Sequence, residues 1–119
     1  IQINPKHAKS FAARALVKGR MGDFKGAMTD LDQAIAIDPG YAKAYSNRGV
    51  TRGAMKDNQA ALADFSQAIR LDPRLADAYR NRGITREMIG DLQGACADWK
   101  IASALGQEGP KQWASAQCN

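Results

Sequence analysis

Two stripes of small, aromatic and aliphatic residues alternate along this chain at helical spacing. In its middle third Ala42, Tyr45, Gly49 and Arg52 recur every three or four residues, and so do Ala61, Phe65, Ala68 and Leu71. Such spacing gathers each set on one face of an α-helix. Between them Lys56-Asp57-Asn58 is a polar turn cluster, with Asp57 placed to cap the second helix. Asp23 and Asp91 stand at the same point of the flanking thirds, after Gly22 and Gly90, where glycine permits the left-handed end of a helix. Lys56 takes that glycine's place in the middle turn, which is therefore expected to be less comfortable. Asp38-Pro39 and Asp72-Pro73 close each helix pair, because the residue before a proline is pushed out of the helical region. Proline also opens the next segment without losing a needed N–H. The pattern predicts helices near 8–20, 24–37, 42–54, 58–71, 76–88 and 92–105.

The prolines of Asn4-Pro5, Asp38-Pro39 and Asp72-Pro73 are spaced by 34 residues, and what lies between them repeats. Residues 8–41 and 42–75 agree at 13 of 34 positions, and 42–75 and 76–109 at 15, where unrelated segments would share about two or three. A period of this size indicates a solenoid of stacked helical pairs. Residue size suggests how each pair closes. Ala15, Gly49 and Gly83 are small on the first helix, and Ala27, Ala61 and Ala95 on the second. Phe11, Tyr45 and Tyr79 add bulk on one side, and Leu31, Phe65 and Trp99 on the other, while Ala34, Ala68 and Ala102 admit the helix that follows. No single helix can bury such a face, so stacking supplies the core.

Tyr45, Gly49, Ala61, Phe65, Ala68 and Pro73 fall where the tetratricopeptide repeat (TPR) has its aromatic, small, alanine, aromatic, alanine and proline positions, and the chain resembles that family over residues 8–109. The resemblance implies an all-α, right-handed superhelix: a remnant of a preceding repeat at 1–7, repeats at 8–41, 42–75 and 76–109, and a capping helix and tail at 110–119. That last helix is expected at 110–117, with Trp113 and Ala114 facing inward. Ile1-Gln2-Ile3-Asn4-Pro5 matches Ile35–Pro39, which reads as the end of an earlier repeat in a longer protein, with an adhesive N-terminal face. Arg14, Arg48 and Arg82 replace the family's leucine, and Lys18, Arg52 and Arg86 its tyrosine. Asp30, Asp64 and Asp98 recur in step, favouring a ladder of Arg–Asp pairs over an arginine row that binds phosphate or carboxylate.

The net charge of +5 is carried mainly by the first two repeats and gives a weak bias toward acidic partners. Nucleic acid is disfavoured, because the exposed faces lack interleaved aromatics and the arginines have matching aspartates. No apolar run is long enough to span a bilayer, so no membrane partner is expected, and the compartment is left between cytoplasm and, if a signal were removed upstream, periplasm. Cys96 fills the slot of Met28 and Leu62 and reads as a small core residue; Cys118 reads as free. The single histidine, His7, has no companion for a metal site or a catalytic triad, and the glycines are explained by packing and turns. No cofactor and no enzymatic activity are expected.

Binding remains. In the TPR family the first helices line the concave face. Here their exposed side is expected to show Lys9, Ala12, Ala13, Leu16 and Arg20; Lys43, Ser46, Asn47 and Val50; and Asp77, Arg80, Asn81, Ile84 and Glu87. From these the candidate peptide-binding groove is Lys9, Ala13, Leu16, Lys43, Asn47, Val50, Arg80, Asn81 and Ile84. Asn47 and Asn81 both donate and accept, which suits a peptide backbone. Leu16, Val50 and Ile84 form an apolar stripe, one per repeat. Some family members grip the C-terminal carboxylate of chaperones with Lys and Asn; this chain has Ala12, Leu16 and Asp77 at three of those places, and only Asn47 fits. The leading function is thus a protein–protein interaction module without catalysis. The alternative is a structural spacer, or an element that self-associates through its N-terminal end.

Overall fold

The computed structural model describes residues 5–106 and Cys118. Among the described residues six helices follow one another: α1 (Pro5–Arg20), α2 (Phe24–Ile37), α3 (Ala42–Ala54), α4 (Asn58–Leu71), α5 (Ala76–Met88) and α6 (Leu92–Ala104). Four of the six match the expected bounds; α1 starts earlier, at Pro5, which suits the first helical position, and α6 ends one residue early. The capping helix expected at 110–117, with Trp113 and Ala114, and residues 1–4 lie outside the described residues.

Each turn is built as its residues dictate. Asp23, Asp57 and Asp91 accept hydrogen bonds from the backbone N–H of Gly26 (2.9 Å), Ala60 (3.3 Å) and Gly94 (2.9 Å), capping α2, α4 and α6. The preceding helices end with the N–H of the same aspartates donating to the carbonyls of Lys18, Arg52 and Arg86. That closure requires a left-handed residue just before the aspartate: Gly22 at φ +83°, Lys56 at +69° and Gly90 at +91°. Lys56 is the only non-glycine among the described residues with positive φ. Asp38 and Asp72 carry out a second turn, accepting from the N–H of Gly40 and Arg74 across the intervening proline.

The pairs α1–α2, α3–α4 and α5–α6 make the closest contacts, and α2–α3 and α4–α5 join them into a stack 52 × 26 × 20 Å. Within each pair the close approach is set by the small residue of the first helix. A Cβ on Gly49 would lie 2.6 Å from the Phe65 ring, and one on Gly83 would lie 2.5 Å from Trp99 Nε1. In the first repeat, where Leu31 replaces the aromatic, the small residue is Ala15, and both are buried. The fully buried Ala27, Ala34, Ala61, Ala68, Ala95 and Ala102 complete the seams.

One cysteine expectation is corrected. Cys118 is not free: it forms a disulfide with Cys96, their Cα atoms 5.3 Å apart. That separation lies within the narrow range a disulfide bridges. Cys96 is buried as expected, but it tethers residue 118 to α6 and forms a cluster with Ala95, Trp99 and Cys118.

Candidate functional site

The arginines are occupied. Arg14, Arg48 and Arg82 each donate through Nε and Nη2 to both oxygens of Asp30, Asp64 and Asp98, at 2.7–3.0 Å. A second cation closes each site: Lys18 Nζ at 3.1 Å, and Arg52 Nη1 and Arg86 Nη1 at 2.9 Å. The three carboxylates are only 1%, 3% and 1% exposed. The fork from Arg14, aided by Lys18, holds the Asp30 carboxyl below the usual carboxylate range despite its burial. Bonding to Asp64 likewise raises the Arg48 guanidinium further above its ordinary value. Each guanidinium also lies over the aromatic ring three residues before it, Phe11, Tyr45 or Tyr79, at 5.3–5.7 Å from the centroid. The third nitrogen reaches the previous repeat in two cases, Arg48 Nη1 to Asp32 at 3.1 Å and Arg82 Nη1 to Ser66 at 3.2 Å. Lys and Arg at the family's leucine and tyrosine positions therefore hold the fold together, and the ladder of pairs, not an anion-binding row, is what forms.

On the other side of the first helices, α1, α3 and α5 lie side by side in sequence order. Leu16 (41% exposed), Val50 (47%) and Ile84 (36%) form one aliphatic residue per helix on that face. Two clefts open between them. The first, about 260 Å³, is lined by Leu16, Asn47 and Val50 together with Arg20, Phe24 and Thr51. The second, about 150 Å³, is lined by Val50, Asn81 and Ile84 together with Asn58, Phe65 and Met88. The same trio, an aliphatic residue from each of two neighbouring helices and the asparagine of the later one, thus appears twice. Thr51 and Thr85 donate their hydroxyls to the backbone carbonyls of Asn47 and Asn81, and both asparagines are half-buried.

The remaining candidates lie apart from the clefts. Lys9, Ala13, Lys43 and Arg80 are exposed and line neither; Arg80 reaches the Asn81 carboxamide oxygen at 3.5 Å. Two residues expected on the exposed side are buried instead: Ala12 at 2% and Ser46 at 3%. Ala12 belongs to the apolar cluster that includes Ala44 of α3, and Ser46 stands one period on, on a helix flanked by α5. Arg80 holds the same repeat position yet is exposed, with no further first helix beside α5 among the described residues. Sequence patterning placed Arg20 on the exposed side but left it out of the groove, and it missed Phe24, Asn58 and Met88 as cleft residues. Asn58 was legible only as part of a turn, yet its Oδ1 is buried without a partner at the second cleft. Among the described residues no cluster of His, Cys, Asp and Glu could hold a metal ion, and no helix is long and apolar enough to cross a membrane.

Comparison with known families and structures finds helical repeats throughout. A tetratricopeptide repeat profile matches residues 42–75, and a second TPR repeat profile matches residues 20–56. The first TPR of Spaghetti (RPAP3), solved with the HSP90 peptide SRMEEVD, is similar at a TM-score of 0.88 and 19% identity, over 97% of this chain and 93% of that one. The second TPR domain of human RPAP3, solved in complex with the HSP70 peptide SGPTIEEVD, gives 0.83 at 26% identity, over 94% and 96%. The TPR domain of Arabidopsis OM64 gives 0.86 at 22% identity, over 93% of each chain. Comparison with curated proteins finds no match.

Proposed function

The chain belongs to the tetratricopeptide repeat family, and from that premise we propose that it is an interaction module whose ligand is a peptide lying across α1, α3 and α5. The supporting observation is the repeated trio: two successive clefts, each walled by exposed aliphatics and each lined by one half-buried asparagine. An extended segment would place apolar side chains in the clefts and its backbone against Asn47 and Asn81. Asn58, with a buried carboxamide oxygen lacking a partner, supplies a further acceptor in the second cleft. Lys9, Lys43 and Arg80 line neither cleft but are exposed cations on the same three helices, and with the net charge of +5 they favour an acidic segment.

The two RPAP3 domains were solved with peptides ending in EEVD. We do not extend that ligand to this chain. The places where the family's terminal-carboxylate clamp has cations carry Ala12, which is buried, and Asp77, so neither supplies a cation. The ligand is therefore an internal segment with alternating apolar residues rather than a free C-terminus. The test is to select peptides on the immobilised chain and titrate them by calorimetry. Replacing Asn47 and Asn81 together by Ala should weaken the selected peptides roughly tenfold, while SRMEEVD should show no saturable binding. Undiminished affinity in the double variant would reject this groove, and tight binding of SRMEEVD would reject the internal-segment assignment. The Cys96–Cys118 disulfide favours an oxidising compartment over a reducing cytosol.

A further inference from the structure

The two clefts of the groove are one site met twice, but they are not alike. Nine of the ten residues lining the first have their counterpart, 34 residues on, in the lining of the second. Asparagine and threonine are kept, Asn47 and Thr51 answering to Asn81 and Thr85. Elsewhere the chemistry changes. Phe24 gives way to Asn58, Leu31 to Phe65 and Ala54 to Met88. Phe65 and Met88 bring more bulk than Leu31 and Ala54, and the second cleft is the smaller, about 150 Å³ against 260 Å³, although Asn58 is slighter than Phe24. The one lining residue without a counterpart is Arg20, whose place in the second repeat is taken by Ala54. Among the described residues Arg20 is the only charged group lining either cleft. It is exposed, and its guanidinium has no partner among them. The nearest acid along the chain, Asp23, is turned instead to the Gly26 N–H.

We infer that the clefts are unequal subsites: the first takes an aromatic side chain whose neighbour in the ligand is an Asp or Glu paired with Arg20, and the second takes a smaller aliphatic one. This rests on the peptide reading of the groove and names the ligand's chemistry. In the first cleft the half-buried Phe24 ring offers an aromatic side chain a wall to pack on, over the buried Leu31. Arg20 stands beside it to meet the adjacent carboxylate. In the second cleft Phe65 and Met88 take up that room. A large apolar group there would also press on Asn58, whose carboxamide oxygen is already buried without a partner. Among the described residues no cation lines that cleft, so a carboxylate gains nothing from it. A ligand with the two side chains exchanged loses at both places. The pair of clefts therefore fixes the order in which side chains lie across α1, α3 and α5.

The probe is a bead library of random peptides, acetylated and amidated so that none has a free terminal carboxylate, selected on the chain and then titrated singly by calorimetry. Binders should carry an aromatic residue beside an Asp or Glu. Ala54→Met gives the first cleft the side chain that the second has, at an exposed helical position, and should weaken these binders about tenfold with the Tm unchanged. Met88→Ala should let the second cleft accept an aromatic residue, read as a change in the selected sequences. Arg20→Gln should weaken the binders about threefold. Replacing their acidic residue by its amide should cost as much against wild type and nothing further against Arg20→Gln. Binders that need Asn47 and Asn81 but are unmoved by Ala54→Met and Arg20→Gln would overturn the unequal subsites and leave the groove standing. Binders indifferent to the Asn47→Ala, Asn81→Ala double variant would overturn the groove itself and this assignment with it, as would a library that yields none.

Discussion

At the scale of single residues the decisive groups are three buried aspartates. Each is removed from water on the second helix of a repeat, a cost that only close, well-directed cations can offset. A bidentate arginine and a second cation supply that, and the aromatic under each guanidinium fixes its plane. The pairing itself was legible, because Arg and Asp recur with one period. Its burial was not, since periodicity does not say which of two polar residues points inward. Asp30 ties this network to pH. Hydrogen bonding from Arg14, with help from Lys18, lowers its folded pKa below the ordinary 3.8. The unfolded chain therefore binds the proton more readily, and the stability held by Asp30 is complete above that ordinary value and lost as pH falls through the lower, folded one. Asp30→Asn should cut the Tm at neutral pH by about 3–8 °C and also lose less stability than wild type on acidification. Melting curves at pH steps from about 7 to 2 should show the two proteins converging in acid; a constant gap would contradict the linkage.

At the scale of the helix, complementary size decides how closely a pair packs. Glycine stands opposite Phe65 and Trp99, and alanine opposite Leu31, so the chain contains both solutions of one packing problem. Gly49→Ala pushes a methyl into the Phe65 ring and should cost about 1–3 kcal/mol. Phe65→Leu alone loses burial, but the two together recreate the Ala15–Leu31 arrangement. The double variant should accordingly be more stable than the sum of the singles by about 1 kcal/mol, measured by urea denaturation; strict additivity would show that the contact does not set the spacing. Most helix ends were legible because they carry a chemical mark, the capping aspartate, the left-handed turn residue or the Asp-Pro step; the start of α1 and the end of α6 were misplaced. Cleft lining was less so. Leu16, Asn47, Val50, Asn81 and Ile84 could be placed by counting along a helix, whereas Ala12 and Ser46 depended on whether a further helix covers them. The period repeats a position's identity but not its neighbours.

At the scale of the whole molecule, the stack couples each helix mainly to those beside it, over a length of 52 Å. Stability in such an array spreads through adjacent interfaces rather than through one shared core. The Cys96–Cys118 link lies at one end of it, and nothing in a 22-residue separation without a paired-cysteine motif announces that contact in the sequence. Because Cys96 belongs to the cluster around Trp99, the link should steady α6 most and α1 least. Cys118→Ser, or reduction of the wild type, should weaken the C-terminal repeat by up to about 3 kcal/mol. Amide exchange resolved by peptide should then show protection falling steeply in α5 and α6, moderately in α3 and α4, and hardly in α1 and α2. An equal loss in all six helices would mean that the stack opens as one cooperative unit. A graded loss would mean that the second cleft, between α3 and α5, can be loosened by reduction while the first keeps its shape. Peptide affinity measured with and without reductant would then fall most for ligands that depend on Asn81.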